Sequence, residues 1–168
     1  GQASEQGGLH TEKVPKGLIL LNARTIARRY QTNNPFAIAQ ALGYIILYVP
    51  LTGVRGFHQC MKRRHIIYLS DALNERDARF VCVHELAHAI LHKGCNRIFL
   101  NSETLFVTNK YEIEADRWAA ELLLPPDELE EALLYQYTIP QIASMHGLSV
   151  SLVEYLINQR RIGHRIKR

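Results

Sequence analysis

Residues 80–92 read FVCVHELAHAILH, and this stretch contains the pattern HExxH, formed by His84, Glu85 and His88. Positions four residues apart lie on one face of an α-helix, so both imidazoles can reach the same metal ion. Glu85 points toward the same space, where a carboxylate can act as a general base. The stretch therefore predicts a helix that carries the first half of a zinc hydrolase site.

The residues around this motif predict that the helix is buried. Apolar side chains lie on nearly all of its sides, namely Phe80, Val81, Val83, Leu86, Ala87, Ile90 and Leu91. Burying imidazoles and a carboxylate in such a helix is costly unless they find a metal or hydrogen-bond partners. The alternative interpretation is two hydrogen-bonded core histidines with an unrelated glutamate between them.

A second helical stretch, residues 111–120, offers a third protein ligand. A catalytic zinc commonly has three protein ligands, and two histidines with one glutamate are a known set. We favour Glu112, because Asp116 one turn later is then placed to accept a ring N–H from a zinc-bound histidine. Glu114 is the alternative, since it lies about 200° round the helix from Glu112 and only one of the two can face the metal.

The first helix does not supply the third ligand in the longer pattern HExxHxxGxxH. Leu91 replaces the glycine of that pattern and Gly94 replaces its last histidine. His92 lies one turn after His88, but an unbroken helix carries it away from the metal. We interpret His92 as a helix-end residue that interacts favourably with the helix dipole.

The two blocks together resemble the ImmA/IrrE family of metallo-endopeptidases. The resemblance covers about residues 35–157, and its most specific part pairs a HELxHxxLH-like helix with ExEAxxxAxxLLxP, which begins at Glu112 and ends at Pro125. Trp118 departs from the family, which more often has Phe there. This change alters the shape of the pocket more than its chemistry.

The resemblance implies a cytoplasmic zinc peptidase, because family members are such enzymes of bacteria and their mobile elements. They typically relieve repression by cutting a helix-turn-helix repressor, which would be the protein partner here. The family pattern makes His84 and His88 zinc ligands and Glu85 the catalytic carboxylate. It makes the acidic block the source of the third ligand, so the expected enzyme is gluzincin-like, with HExxH plus Glu.

Composition favours one compact domain with small appendages. The chain has 168 residues, of which 47% are hydrophobic, enough for one sizeable core. It contains no apolar run long enough to cross a membrane and no visible signal peptide, so we expect a soluble intracellular protein.

The cysteines are odd in number and form no CxxC, so we expect free thiols at Cys60, Cys82 and Cys95. Cys82 is close enough to His84 to be considered as a ligand.

The order of elements predicts an α+β fold, with a small antiparallel sheet packed on a helical zincin-like core and a helix-turn-helix-like segment at the C-terminus. Residues 1–9 are expected to be a vector remnant and a loose terminus, and 10–125 the metallopeptidase core. Helices are predicted at 17–30 and 35–42, and strands at 44–49, 55–61 and 65–69 with a turn at 62–64. The strand at 55–61 is our candidate for pairing with an extended peptide substrate.

The C-terminal third carries a rival hypothesis, a DNA-binding regulator with a structural or vestigial metal site. Residues 126–158 are predicted to be helical, and the spacing of Ala143, Gly147 and Leu148 resembles a helix-turn-helix. A basic recognition helix is missing, however, because residues 149–158 carry Glu154 and no Lys or Arg. Within the resembled family, such a segment more plausibly docks the protein substrate.

The net charge of +4 also gives little support to nucleic-acid binding. Five cations lie in a basic tail at residues 159–168, and subtracting them from +4 leaves −1 for the rest of the chain. We expect this tail to be a solvated, disordered terminus rather than a phosphate contact.

The predicted chemistry is metal-assisted amide hydrolysis. Zinc lowers the pKa of a bound water and polarises the substrate carbonyl. Glu85 is expected to take the proton from that water and deliver it to the leaving amine. A further donor should stabilise the developing oxyanion, and the sequence leaves four candidates, Tyr111, Tyr135, Tyr137 and His146.

Overall fold

The computed structural model describes residues 22–92 and 105–166 of the chain. The first two helices are α1 (Ala23–Tyr30) and α2 (Pro35–Ala41). Each begins after an asparagine whose side chain accepts a hydrogen bond from the first turn, Asn22 from the Thr25 amide and Asn34 from the Phe36 amide. The predicted start of the first helix, residues 17–21, lies outside the described residues, as do the predicted terminus 1–9 and Cys95.

A sheet of three strands follows, β1 (Ile45–Val49), β2 (Gly56–Met61) and β3 (Arg64–Ser70), in the order β1-β3-β2. The predicted hairpin is confirmed, because β2 and β3 are antiparallel. Its turn consists of Lys62 and Arg63, which both have left-handed backbones with φ of 49° and 66°. Two successive left-handed residues give the tight turn that matches the twist of paired strands.

The sheet is mixed, which differs from the antiparallel sheet that the sequence predicts. β1 runs parallel to β3, with Ile45 opposite Ile66 and Val49 opposite Ser70. The chain reverses direction twice between β1 and β3, so these strands point the same way. β2 occupies one side of β3, so β1 pairs with the other side, in the parallel direction that the two reversals set.

The central element is helix α3 (Glu75–Leu91), which carries the HExxH motif between the sheet and helix α4 (Leu105–Leu123). Asn74 caps α3 by accepting from the Asp77 amide at 2.8 Å. The helix is buried on nearly all sides, as predicted, and joins residues of the sheet and α4 in one core. The α+β class is therefore confirmed, with the motif placed in the middle of the core.

Three helices complete the described chain, α5 (Pro126–Leu134), α6 (Ile139–His146) and α7 (Val150–Ile166). A capping box between Thr138 and Gln141 begins α6, and Gly147 ends it with φ of 66°. Helices α6 and α7 pack on each other, and α7 also packs on α4. The predicted helical pair around a glycine turn is confirmed, whereas the domain boundary at residue 125 stays a prediction.

The prediction of a disordered basic tail from residue 159 is wrong for residues 159–166, which continue helix α7. Arg160 reaches α5, where its guanidinium lies 2.7 Å from a carboxylate oxygen of Glu130. This ion pair joins the end of α7 to α5, a contact that charge counting alone does not reveal.

Among the described residues, no helix is long and apolar enough to cross a lipid bilayer.

Candidate metal centre

Helices α3 and α4 bring three ligand-type side chains to one point. The Nε2 atoms of His84 and His88 lie 3.1 Å apart. The carboxylate of Glu112 lies 3.1 Å from each of these nitrogens, with Oε2 facing His84 and Oε1 facing His88. Each of these three side chains offers one ligand atom, and the three atoms all lie within 4.8 Å of one another.

Each histidine of this set has an outer partner at its other ring nitrogen. The Nδ1 atom of His84 lies 2.7 Å from a carboxylate oxygen of Asp116. The Nδ1 atom of His88 lies 3.1 Å from Nδ1 of His92, and Nε2 of His92 lies 2.9 Å from Glu114. Contacts at Nδ1 therefore orient both imidazoles, and their Nε2 atoms face Glu112.

This arrangement suits a divalent cation. When His84 donates its Nδ1 hydrogen to Asp116, the neutral ring presents an Nε2 lone pair toward Glu112, and His88 can do the same. Three acceptors facing one another repel unless a positive charge lies between them. Zinc–ligand bonds of about 2.0–2.1 Å in a tetrahedron separate neighbouring ligand atoms by about 3.3 Å, close to the observed spacing. The donor set therefore fits zinc.

The pKa values report the same preference for positive charge. Burial lowers the pKa of His84, but hydrogen bonds to Asp116 and Glu112 outweigh it and raise that pKa from 6.5 to about 9. Hydrogen bonds from His84 and His88 hold the pKa of Glu112 well below its usual range, against the effect of burial. A metal ion bound here would replace the proton of His84, so metal binding and proton release are coupled.

The side chains that α3 and α4 contribute to the centre differ in exposure to solvent. The side chains of His84 and His88 are 13% and 10% exposed, whereas Glu112 is 41% exposed. Glu85, between the two histidines, is 3% exposed and forms part of the buried interior. Among the described residues, solvent therefore reaches the centre at the carboxylate of Glu112.

The structure separates the two glutamates that the sequence left as alternatives. Glu112 faces the histidine pair, whereas Glu114 faces His92. Asp116 lies against His84, with a carboxylate oxygen 2.7 Å from Nδ1 of the ring. Cys82 is fully buried, and burial followed by the charge of Glu85 raises the pKa of its thiol to about 12. A thiol of this kind stays protonated and is a poor ligand.

His92 and Glu114 have contacts that the sequence interpretation missed. His92 is at the C-cap of α3 with φ of −112° and ψ of 43°, so it leaves helical geometry and its ring turns back to His88. Burial lowers the pKa of His92, although Glu114 opposes that effect. The signal available in the sequence was the spacing of four residues between His88 and His92, matched by a second acid on α4.

The candidates for stabilising an oxyanion lie in different places. The ring of Tyr111 packs on His92 with centroids 4.5 Å apart, beside the centre. His146 lies 3.8 Å from Glu128, and the rings of Tyr135 and Tyr137 lie 6.3 Å apart on the C-terminal helices. Tyr111 is thus the candidate whose ring contacts a histidine beside the centre.

Comparison with known proteins identifies the class of protein that this fold and site define. Residues 39–158 match the family model Peptidase_M78, the IrrE N-terminal-like domain. The chain belongs to this family of metallopeptidases, as the resemblance of its motifs implied.

Two relatives have similar length. The chain is 34% identical over 139 residues to "Uncharacterized immunity region protein 2" of Bacillus phage phi105, covering 82% of this chain and 88% of that protein. It is 27% identical over 140 residues to "Metallopeptidase ImmA" of Bacillus subtilis (strain 168), covering 81% of this chain and 82% of that protein.

A solved structure shares the fold. The chain resembles a Mycobacterium tuberculosis transcriptional regulator with a TM-score of 0.55 at 12% identity, over 83% of this chain. The chain spans 45% of that protein's length. This likeness therefore concerns the fold alone.

Proposed function

We propose that this chain is a zinc-dependent endopeptidase that cuts a specific protein substrate, a helix-turn-helix repressor of a phage or other mobile element. One observation carries the proposal. His84 and His88 of the buried HExxH helix and Glu112 of α4 bring their ligand atoms to one point. Membership of a metallopeptidase family and the relatives named for ImmA and for a phage immunity region support the proposed substrate class. A cytoplasmic location belongs to the same proposal.

The residues have distinct roles in this proposal. His84, His88 and Glu112 hold the zinc, and Asp116 fixes the tautomer of His84 through the 2.7 Å contact. Bound zinc lowers the pKa of a water molecule and polarises the substrate carbonyl. Glu85 accepts the proton of the attacking water and passes it to the leaving amine. Because Glu85 is buried next to both ligands in the chain, its carboxylate is shielded from bulk solvent.

The sheet supports the binding of an extended substrate. Strand β2 is at one edge of the sheet, next to β3. An edge strand can pair with a peptide through main-chain hydrogen bonds, which aligns a scissile bond with little demand on sequence. Gly56 begins β2 directly over Val81 of α3, so this edge and the motif helix are in contact. We assign β2 as the strand that positions the substrate.

The DNA-binding alternative has weaker support. The α6–α7 pair has the turn of a helix-turn-helix, but residues 150–158 of α7 contain one charged residue, Glu154. Affinity for nucleic acid depends on cations that meet phosphates. The cation that follows, Arg160, pairs with Glu130 instead. We therefore assign the helical pair to substrate docking.

The decisive experiment compares wild-type protein with Glu85→Gln, after loading both with zinc and mixing each with a helix-turn-helix repressor from the same genetic element. Wild type should produce two defined fragments, measured by intact-mass spectrometry, whereas Glu85→Gln should keep the fold and the zinc but produce none. Glu131→Gln, at an exposed site on α5, is the matched control and should cleave like wild type. Cleavage by Glu85→Gln, or none by wild type, would overturn the proposal.

A further inference from the structure

The metal centre has a second outer chain of contacts, and it lies behind His88. His88 Nδ1 is 3.1 Å from His92 Nδ1, and His92 Nε2 is 2.9 Å from Glu114 Oε2. We infer that His92 and Glu114 are positioning residues that fix the tautomer and ring orientation of His88, as Asp116 does for His84. This inference rests on the proposed metal site and adds two residues to it.

The proton positions in this chain follow from the carboxylate at its outer end. A carboxylate only accepts hydrogen bonds, so the nitrogen of His92 that faces Glu114 must carry the hydrogen. The neutral ring of His92 then has its lone pair on Nδ1, and His88 must donate its own Nδ1 hydrogen to it. His88 is left with a lone pair on Nε2, the atom that lies 3.1 Å from Glu112.

The opposite arrangement is unfavourable. If His92 donated from Nδ1, its Nε2 lone pair would face the carboxylate of Glu114 at 2.9 Å, and two acceptors would repel. His88 would then carry its hydrogen on Nε2, where it blocks metal binding. Glu114 therefore acts on the metal site through two imidazoles without touching the metal.

The surroundings hold this chain in place. The side chain of His92 is 6% exposed, and its ring packs against Tyr111 with centroids 4.5 Å apart. Glu114 is 41% exposed and lies 3.8 Å from the ammonium of Lys110. Both nitrogens of His92 have partners in the chain, so His92 supports His88 rather than competing with it for the metal.

The test measures zinc affinity by competition with a chromogenic chelator for wild type, His92→Phe and Glu114→Ala. Phenylalanine keeps a ring against Tyr111 but removes both nitrogens, and Glu114 is exposed enough for the alanine variant to fold. Loss of an outer partner typically weakens metal affinity about 10–100-fold, and we expect that range for both variants. His146→Phe and Glu128→Ala change another histidine–glutamate pair and should keep wild-type affinity.

A double-mutant cycle separates a chain from two independent effects. The double variant His92→Phe, Glu114→Ala should have about the same zinc affinity as the single variant with the lower affinity, because both changes break the same chain of hydrogen bonds behind His88. Combining Glu114→Ala with Asp116→Asn should give the product of the two losses, because these acids act on different ligands. Nitrogen-15 NMR of the zinc-loaded protein should show the Nδ1–H signal of His88, and this signal should shift in Glu114→Ala.

The outcomes distinguish this inference from the proposed function. If wild type binds zinc and the zinc affinity of both single variants stays within twofold of the wild-type affinity, the positioning role alone is overturned. Losses that multiply in the His92–Glu114 pair would also overturn it. Wild type that binds no zinc would overturn the proposed function and the inference together, whereas zinc binding without repressor cleavage would leave the affinity comparison valid.

Discussion

The Nδ1 atom of His84 lies 2.7 Å from a carboxylate oxygen of Asp116, so the contact joins two helices through residues that are 32 positions apart in sequence. The contact belongs to both the fold and the site, because it ties α3 to α4 and orients the ring that faces Glu112. A charge-assisted hydrogen bond of this length is among the stronger polar contacts in a protein. The metal centre is therefore built from the same contact that packs its two helices.

We expect Asp116→Asn to weaken zinc affinity about 10–100-fold while leaving the fold intact. Asparagine keeps the size of the side chain, but it loses the charge that favours the Nδ1–H tautomer of His84. Chelator competition measures the change in affinity, and circular dichroism checks the fold. Asp127→Asn, on the exposed start of α5, is the matched control and should bind zinc as wild type does. An unchanged affinity in Asp116→Asn would contradict the assigned role.

Glu112→Ala should abolish stoichiometric zinc binding, whereas Glu114→Ala should retain about one zinc per chain at saturating metal. Glu112 contacts both histidine Nε2 atoms, and Glu114 contacts neither in the described geometry. Elemental analysis of protein purified in the presence of zinc gives the stoichiometry. Loss of zinc in Glu114→Ala but not in Glu112→Ala would reverse the ligand assignment.

The free energy of unfolding of the metal-free protein should decrease as pH rises from 6.5 to 8.5. The pKa of His84 is raised to about 9 in the folded protein from 6.5, so its proton stabilises the fold fully below 6.5 and this contribution is lost as pH rises through 9. One proton gives a slope of at most about 1.4 kcal/mol per pH unit. Urea unfolding in the presence of a chelator measures this slope.

Two comparisons identify His84 as the source of that slope. Zinc displaces the proton, so the zinc-loaded protein should lack the decrease over the same pH range. Asp116→Asn removes the first hydrogen bond that raises the pKa of His84, and its slope should be smaller. A metal-free stability that stays level or rises between pH 6.5 and 8.5 would contradict the assigned electrostatics.

The sequence predicts the parts of the site that depend on local geometry. His84 and His88 share a helix, so their spacing alone places both rings on one face. The choice between Glu112 and Glu114 depends on how α4 is rotated against α3, which spacing along α4 does not determine. In the structure that rotation points Glu112 at both histidines and Glu114 at His92.

The sequence interpretation fails where the backbone leaves a regular pattern or where strands pair at a distance. The pattern predicts an unbroken helix at His92, whereas its backbone leaves helical geometry at the C-cap and its ring lies 3.1 Å from His88. Composition predicts the strand Ile45–Val49, but it does not say which edge of β3 the strand joins or in which direction. Charge counting predicts a disordered basic end, whereas residues 159–166 continue α7 and Arg160 pairs with Glu130.

Gly56→Ala should destabilise the protein by roughly 1–3 kcal/mol, the usual cost of overpacking. A Cβ atom at Gly56 would lie 2.6 Å from a side-chain carbon of Val81 and 2.7 Å from the carbonyl oxygen of Tyr68, so either β2 or α3 must move. Gly53→Ala is the control, because its Cβ meets open space and its cost is only that of a positive φ of 78°. Urea unfolding measures the free energy of unfolding of both variants, and Gly56→Ala should lose more of it than Gly53→Ala. Gly56→Ala should also cleave the substrate more weakly, because the strand edge proposed to position the substrate shifts. Equal stability of wild type and Gly56→Ala would show that β2 does not lie tightly against the motif helix.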